Sequence, residues 1–158
     1  MRRIVRATVL ALAAVSLLAS LAFAASVHFK GEQTFIDNGL TLTAAGELAG
    51  LGNADVLITL SAEGDGSAVC RNRGGNVAPG QNKVPVLVTA TQIVLAEEVK
   101  NGTTPYRLTT TGPEQPTATE AGCPNGNWTA EINDVVFSSA TISVEQGGAL
   151  VLQQAFSL

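Results

Sequence analysis

An enzyme of modest size must assemble its acids, bases or metal ligands from the residues at hand, and this chain offers few. His28 is the single histidine, set in an apparent first strand, and neither a G-x-S-x-G turn nor a cysteine nucleophile accompanies it to suggest a Ser-His-Asp type of site. A lone strand histidine is more often a surface or packing residue. The carboxylates gather as Glu63/Asp65, Glu97/Glu98 and Asp134 beside Asn133, none with the spacing of a calcium loop. Acid pairs recruited from separate strands, as in glycosidases, usually sit among aromatic platforms, and the chain has one Trp and one Tyr. No Cys or His cluster has zinc spacing. The expectation is a non-catalytic protein with no cofactor and no metal.

Binding chemistry is better provided for, in two polar loops of a chain otherwise rich in Val, Leu, Ala and Thr. "CRNRGGNVAPGQN" covers 70–82 and "CPNGNW" covers 123–128, and each begins with one of the two cysteines. In an exported chain two cysteines most often form one disulfide; a free reactive thiol is the alternative. Pairing Cys70 with Cys123 closes a loop of 54 residues, which the chain-entropy model values at about 4 kcal/mol. It would also force the two loops together, giving a Gly- and Asn-rich surface on which Arg71, Arg73, Asn76, Lys83, Asn125 and Trp128 are the candidate contacts. Two readings of that surface stand side by side. In the structural one, Gly74, Gly75, Pro79 and Gly80 build tight turns and the asparagines hydrogen-bond the loop backbone. In the functional one, loops on a rigid scaffold carry the recognition groups, and this is the basic patch of an acidic protein.

The start of the chain, "MRRIVRATVLALAAVSLLASLAFA", has a basic opening, an apolar middle and small residues at Ala22 and Ala24, the build of a secretory signal peptide covering 1–24. Residues 25–158 then form one domain, long enough to bury about two-thirds of its unfolded surface. Cleavage removes three of the nine basic residues and leaves six Lys/Arg against thirteen Asp/Glu, a balance of −7. That sign argues against nucleic acid. No stable membrane insertion is expected after cleavage, and the localisation expected is secreted or extracellular.

The elements that must position the loops read with period two. "VHFKGEQTFIDNGLTLTAAGEL" gives two strands joined at Asp37-Asn38-Gly39, a type I′ hairpin signal. From Asp55 one long strand keeps Val56, Ile58, Leu60, Ala62, Ala68 and Cys70 on one parity, with glycines at 64 and 66 marking a bend or bulge. "VPVLVTATQIVLA" at 84–96 is strand-prone, and its change of apolar parity points to a bulge or a change of sheet near Ala90. A turn at Asn101-Gly102 precedes a short strand around 106–110, and 111–122 is a long loop. Beyond Cys123 the even positions Trp128, Ala130, Ile132, Val136, Ala140, Ile142 and Val144 form one apolar face. Gln146-Gly147-Gly148 turns the chain into a last strand. The fold expected is all-β, an antiparallel β-sandwich of roughly seven to nine strands, immunoglobulin-like in the broad sense and with one disulfide. Trp128 follows the second cysteine instead of lying between the two, so the expectation is the architecture and not that family. A closed outer-membrane barrel fits the length, but few aromatics remain to furnish its two girdles.

"AGLGNADVLITL", "CRNRGGNVAPGQN", "EEVKNGT" and "CPNGNWTAEINDVVFSSATISVEQGG" resemble a group of uncharacterised small secreted bacterial proteins, of actinobacterial type. These share C-x-N-x-G-G-N-x-x-P-G-Q-N and C-P-N-x-N-W-T segments. The resemblance covers most of 35–150 and implies a bacterial, extracellular protein in which the loop pair is a group character. It brings no activity, cofactor or catalytic residue, and Arg71 and Arg73 make this chain more basic than the group's pattern. The function expected is a secreted binding module that recognises an anionic glycan or protein surface through the stapled loops. The alternative is a structural subunit of an extracellular assembly that self-associates through its strand edges.

Overall fold

The computed structural model describes residues 27–158; the signal-peptide reading at 1–24 lies outside them. Eight strands are found among the described residues: β1 (His28–Asp37), β2 (Leu42–Ala49), β3 (Val56–Arg71), β4 (Val77–Pro79), β5 (Val84–Val94), β6 (Thr104–Thr109), β7 (Thr129–Gln146) and β8 (Ala149–Ser157), with one 3₁₀ turn at Ala96–Glu98. All pairings are antiparallel. The smaller sheet runs β1-β2-β6, and the larger runs β4-β3-β7-β8 with β5 on the same side of β3 as β4. The two sheets face one another as a β-sandwich. Alternation of apolar and polar side chains makes this packing the favourable one, because each sheet has one face that must leave water.

The core between the sheets holds Leu42, Ala44 and Leu48 of β2, Val56, Ile58, Leu60 and Ala62 of β3, Tyr106 and Leu108 of β6, and Ile132, Ile142 and Val144 of β7. β3 is the backbone of the larger sheet. It pairs β7 along its whole length from Val56 to Arg71, β5 from Val56 to Gly66, and β4 from Val69 to Arg71. Its unbroken even parity puts Cys70 on the core face, fully buried.

Three local expectations are corrected. The β1–β2 hairpin forms, but through residues 38–41 with Gly39 alone left-handed at φ 84°. Asn38 instead caps the loop, its amide nitrogen donating to the Thr41 carbonyl at 2.9 Å and its side chain to Thr43 Oγ1 at 3.0 Å. Neither a bulge nor a change of sheet occurs near Ala90: the β3–β5 ladder is continuous. The parity change arises because Gln92 takes an inward position, where its Oε1 accepts the Arg107 amide at 3.2 Å, and Ile93 is left on the outside, 68% exposed. In β7 the even face does not persist. Register shifts opposite Glu63/Gly64 and Ser67/Ala68 place Val135 and Phe137 in the core and turn Val136 out, 59% exposed. Each bulge adds one residue and so flips the parity of the residues beyond it. The first occurs where Gly64 lies under the Val136 carbonyl, with no room for a Cβ.

Candidate functional site

Cys70 and Cys123 are bonded, their Cα atoms 5.7 Å apart, and the other half of the staple is brought in by a turn. Thr117 and Glu120 form a reciprocal cap: the Thr117 amide and hydroxyl both donate to Glu120 Oε2 at 2.8 Å, and the Glu120 amide donates to Thr117 Oγ1 at 3.2 Å. These donors, the Thr117 backbone first and its hydroxyl second, hold the exposed Glu120 carboxyl below the usual range. The single helical turn after this cap buries Ala118 and Ala121. It docks on the loop after β4, where the Asn82 amide reaches the Ala121 carbonyl at 3.2 Å and the Asn82 side chain reaches the Glu120 carbonyl at 3.0 Å. Cys123 is thereby delivered to the end of β3.

Arg71 is the last residue of β3 and points to the side opposite Cys70. The chain then closes on itself through Asn72, whose Oδ1 accepts the Asn76 amide at 2.9 Å and whose carbonyl accepts the Gly75 amide at 3.0 Å. Gly75 turns left-handed there at φ 82°. On the other side, Asn125 Oδ1 accepts the Asn127 amide at 3.0 Å, the Asn125 carbonyl accepts the Trp128 amide at 3.2 Å, and Thr129 Oγ1 donates to the Arg71 carbonyl at 3.1 Å. Both loops are therefore held by asparagine side chains acting on their own backbone.

Between them lies an open cleft of about 830 Å³, lined by Arg71, Asn72, Arg73, Asn125, Asn127 and Trp128 among others. Arg71, Arg73 and Asn125 are exposed and Trp128 is half-buried. The single ion pair among the described residues joins Lys30 to Glu47 at 3.0 Å, so neither guanidinium in the cleft is neutralised by a carboxylate. Guanidinium groups offer several fixed N–H donors suited to carboxylate or sulfate oxygens. The Trp128 indole adds an apolar face with an N–H donor.

Four of the six candidate contacts thus come together, and two do not. Asn76 closes the Asn72 turn through its backbone and does not line the cleft. Lys83 is also outside it: Lys83 Nζ donates to Ser67 Oγ at 3.2 Å, and Ser67 precedes Arg71 by four β3 residues, roughly 13 Å of strand. The β4 ladder separates what the sequence places close. Asn72 and Asn127 also line the cleft, and their signal in the sequence is the spacing Asn-x-x-x-Asn or Asn-x-Asn that closes an Asx turn.

Elsewhere, Glu63 and Asp65 share the outer face of β3 and border a smaller depression of about 330 Å³. No group of three or more metal-binding side chains occurs among the described residues. No helix of the described residues is long and apolar enough to cross a membrane. A scan against protein-family models finds no match, and a search of curated proteins returns none.

Proposed function

We propose that this is a secreted bacterial protein that acts as a non-catalytic binding module, with an anionic glycan as its ligand class. The observation that carries the reading is the convergence of Arg71 and Arg73, neither in an ion pair, with Trp128 on one disulfide-held cleft. A pair of unneutralised guanidinium groups, exposed on an acidic protein, selects for oxygen-bearing anions. The Trp128 ring supplies the stacking surface that a sugar ring uses, and the asparagine amides supply donors and acceptors for hydroxyl groups. Loops locked by Asx turns and a staple lose little freedom on binding, which favours affinity.

Trp128 is the single tryptophan, so intrinsic fluorescence reports on the cleft directly. Titrating the mature protein with polygalacturonate and with heparin, against a neutral glucan as control, is expected to perturb the emission with at least one acidic polymer. Arg71→Ala with Arg73→Ala is expected to weaken that response tenfold or more, and added salt to weaken it further. Unchanged binding in the double variant, or no response to either polymer, overturns the glycan reading. A response to an acidic protein surface alone would move the ligand to that class.

A further inference from the structure

We propose that the protein forms a closed dimer by antiparallel pairing of β8 with β8 of a second copy, extending the larger sheet across a twofold axis. β8 is the outermost strand of that sheet. Its inner neighbour is fixed by the register Ser139↔Ser157 to Val144↔Leu152, and the Leu158 amide donates to the Ser138 carbonyl at 3.0 Å. Antiparallel ladders alternate bonded and unbonded pairs. Counting in twos from Leu158, the amide and carbonyl groups of Ser157, Ala155 and Gln153 therefore face away from β7. They form a row of donors and acceptors on an open edge.

The other edges of the sandwich are short, interrupted or charged, whereas residues 152–157 of β8 are not; β6, the second edge of the smaller sheet, holds Pro105 and Arg107. β1 carries Lys30, Glu32 and Asp37 and is interrupted by a register shift between Lys30 and Thr34. β5 begins with Val84-Pro85 and is covered where the Thr111 amide donates to the Thr89 carbonyl at 3.1 Å. β4 is only three residues long. β8, "ALVLQQAFS", has no charge and no proline, and its own register shift falls at Val151, between Val144↔Leu152 and Glu145↔Leu150, which leaves Leu152 to Ser157 as the uninterrupted edge. Charges, prolines and bulges are the devices that keep strand edges from pairing.

The occupant follows from charge. Two copies of an acidic chain repel, and any contact between them costs least where neither brings a carboxylate. β8 provides such a stretch, and an antiparallel edge is complementary to itself. Isologous pairing uses up both edges, so the assembly closes at two subunits instead of growing into a fibre. The contact is independent of the Arg71/Arg73 cleft.

Light scattering of the mature protein over a range of concentrations is expected to give twice the subunit mass, with concentration-dependent dissociation. Ala155→Pro removes an outward N–H that β7 does not use, and Gln153→Lys places a charge on the edge. Either is expected to give monomer with a circular dichroism spectrum close to the parent's and a cooperative melt whose midpoint no longer varies with concentration, while Arg71→Ala/Arg73→Ala leaves the dimer intact. A parent protein that is monomeric throughout, a dimer that persists in folded Ala155→Pro and Gln153→Lys, or an open ladder of larger species overturns the proposal.

Discussion

The Tyr106 hydroxyl donates to Gln33 Oε1 across the width of β2. β6 and β1 are not neighbours in the smaller sheet, and the two side chains meet because Gly46 lies between them with nothing to obstruct the path. A Cβ at residue 46 would overlap the Gln33 carboxamide and come within 2.8 Å of the Tyr106 oxygen. Tyr106 is 3% exposed, and burial pushes its phenol up from 10.0 to about 12.

The first prediction concerns alkaline stability. The unfolded phenol ionises near 10, while the folded one stays neutral to about 12. Between those values the native state holds a proton that the unfolded state has lost, so stability is intact below pH 10 and falls as pH rises through the window. Tyr106 is the only tyrosine, and absorbance at the phenolate band is expected to show a single late titration, with unfolding close behind. Tyr106→Phe is expected to flatten that pH dependence and to cost about 1 kcal/mol at neutral pH by leaving Gln33 without its donor. A phenol titrating near 10 in the folded protein would contradict this.

A second prediction is that Gly64→Ala is among the more damaging single-methyl additions in the chain. Its Cβ would meet the Val136 carbonyl and lie 2.9 Å from the Phe137 Cα, and backbone in the middle of a ladder cannot step aside. Overpacking of this kind costs about 1–3 kcal/mol, a drop in thermal midpoint of roughly 3–12 °C for a domain of this length. Gly74→Ala is the control, because the atoms nearest its Cβ belong to the side chains of Asn72 and Asn76; a melt as low as that of Gly64→Ala would argue against the backbone explanation.

How far the residues alone disclose the molecule depends on which pattern carries the information. Period-two alternation in β3 was legible, including the burial of Cys70, because nothing interrupts its parity. In β7 the same alternation misled at Val136, since two bulges flank it, one of them opposite Gly64, where the Val136 carbonyl leaves no room for a Cβ, and neither leaves a mark on β7 itself. Inward Gln92 and outward Ile93 reversed the hydrophobic signal for a similar reason: a partner on β6, distant in sequence, rewards a polar side chain inside. The cleft was half legible. Arg71, Arg73, Asn125 and Trp128 adjoin the cysteines and are carried into place with them, whereas Lys83 lies beyond the β4 turn and is moved along β3 by pairings that no local pattern reveals.

Turn chemistry supplies a third prediction. Asn101 and Gly102 are both left-handed, at φ 53° and 71°, and Lys100 and Thr103 exchange two backbone bonds of 3.0 Å across them; this is the two-residue type I′ geometry. Asn101→Gly is expected to change the thermal midpoint little. Gly102→Ala combines the φ penalty with a Cβ 3.1 Å from the Leu51 carbonyl, and is expected to cost about 1–2 kcal/mol in a denaturant titration. Equal costs for the two variants would place the strain elsewhere.

Removing the staple separates the scaffold from the cleft. The bond links the fully buried Cys70 to a turn that otherwise holds on through Ala118, Ala121 and the Asn82 contacts, so Cys70→Ala/Cys123→Ala is expected to lose about 2–5 kcal/mol. The loss is not expected to spread evenly. Residues 56–66 keep their pairing with both β5 and β7, and Tyr106 keeps its place in the smaller sheet, so the late phenol titration should survive in the variant under native conditions. Trp128, whose loop is tethered through Cys123, should shift its emission to the red and lose the response to acidic polymer. Limited proteolysis should cut first between 111 and 128. If the tryptophan signal and the tyrosine titration instead collapse together at the same denaturant concentration as in the parent, the disulfide contributes nothing particular to the cleft.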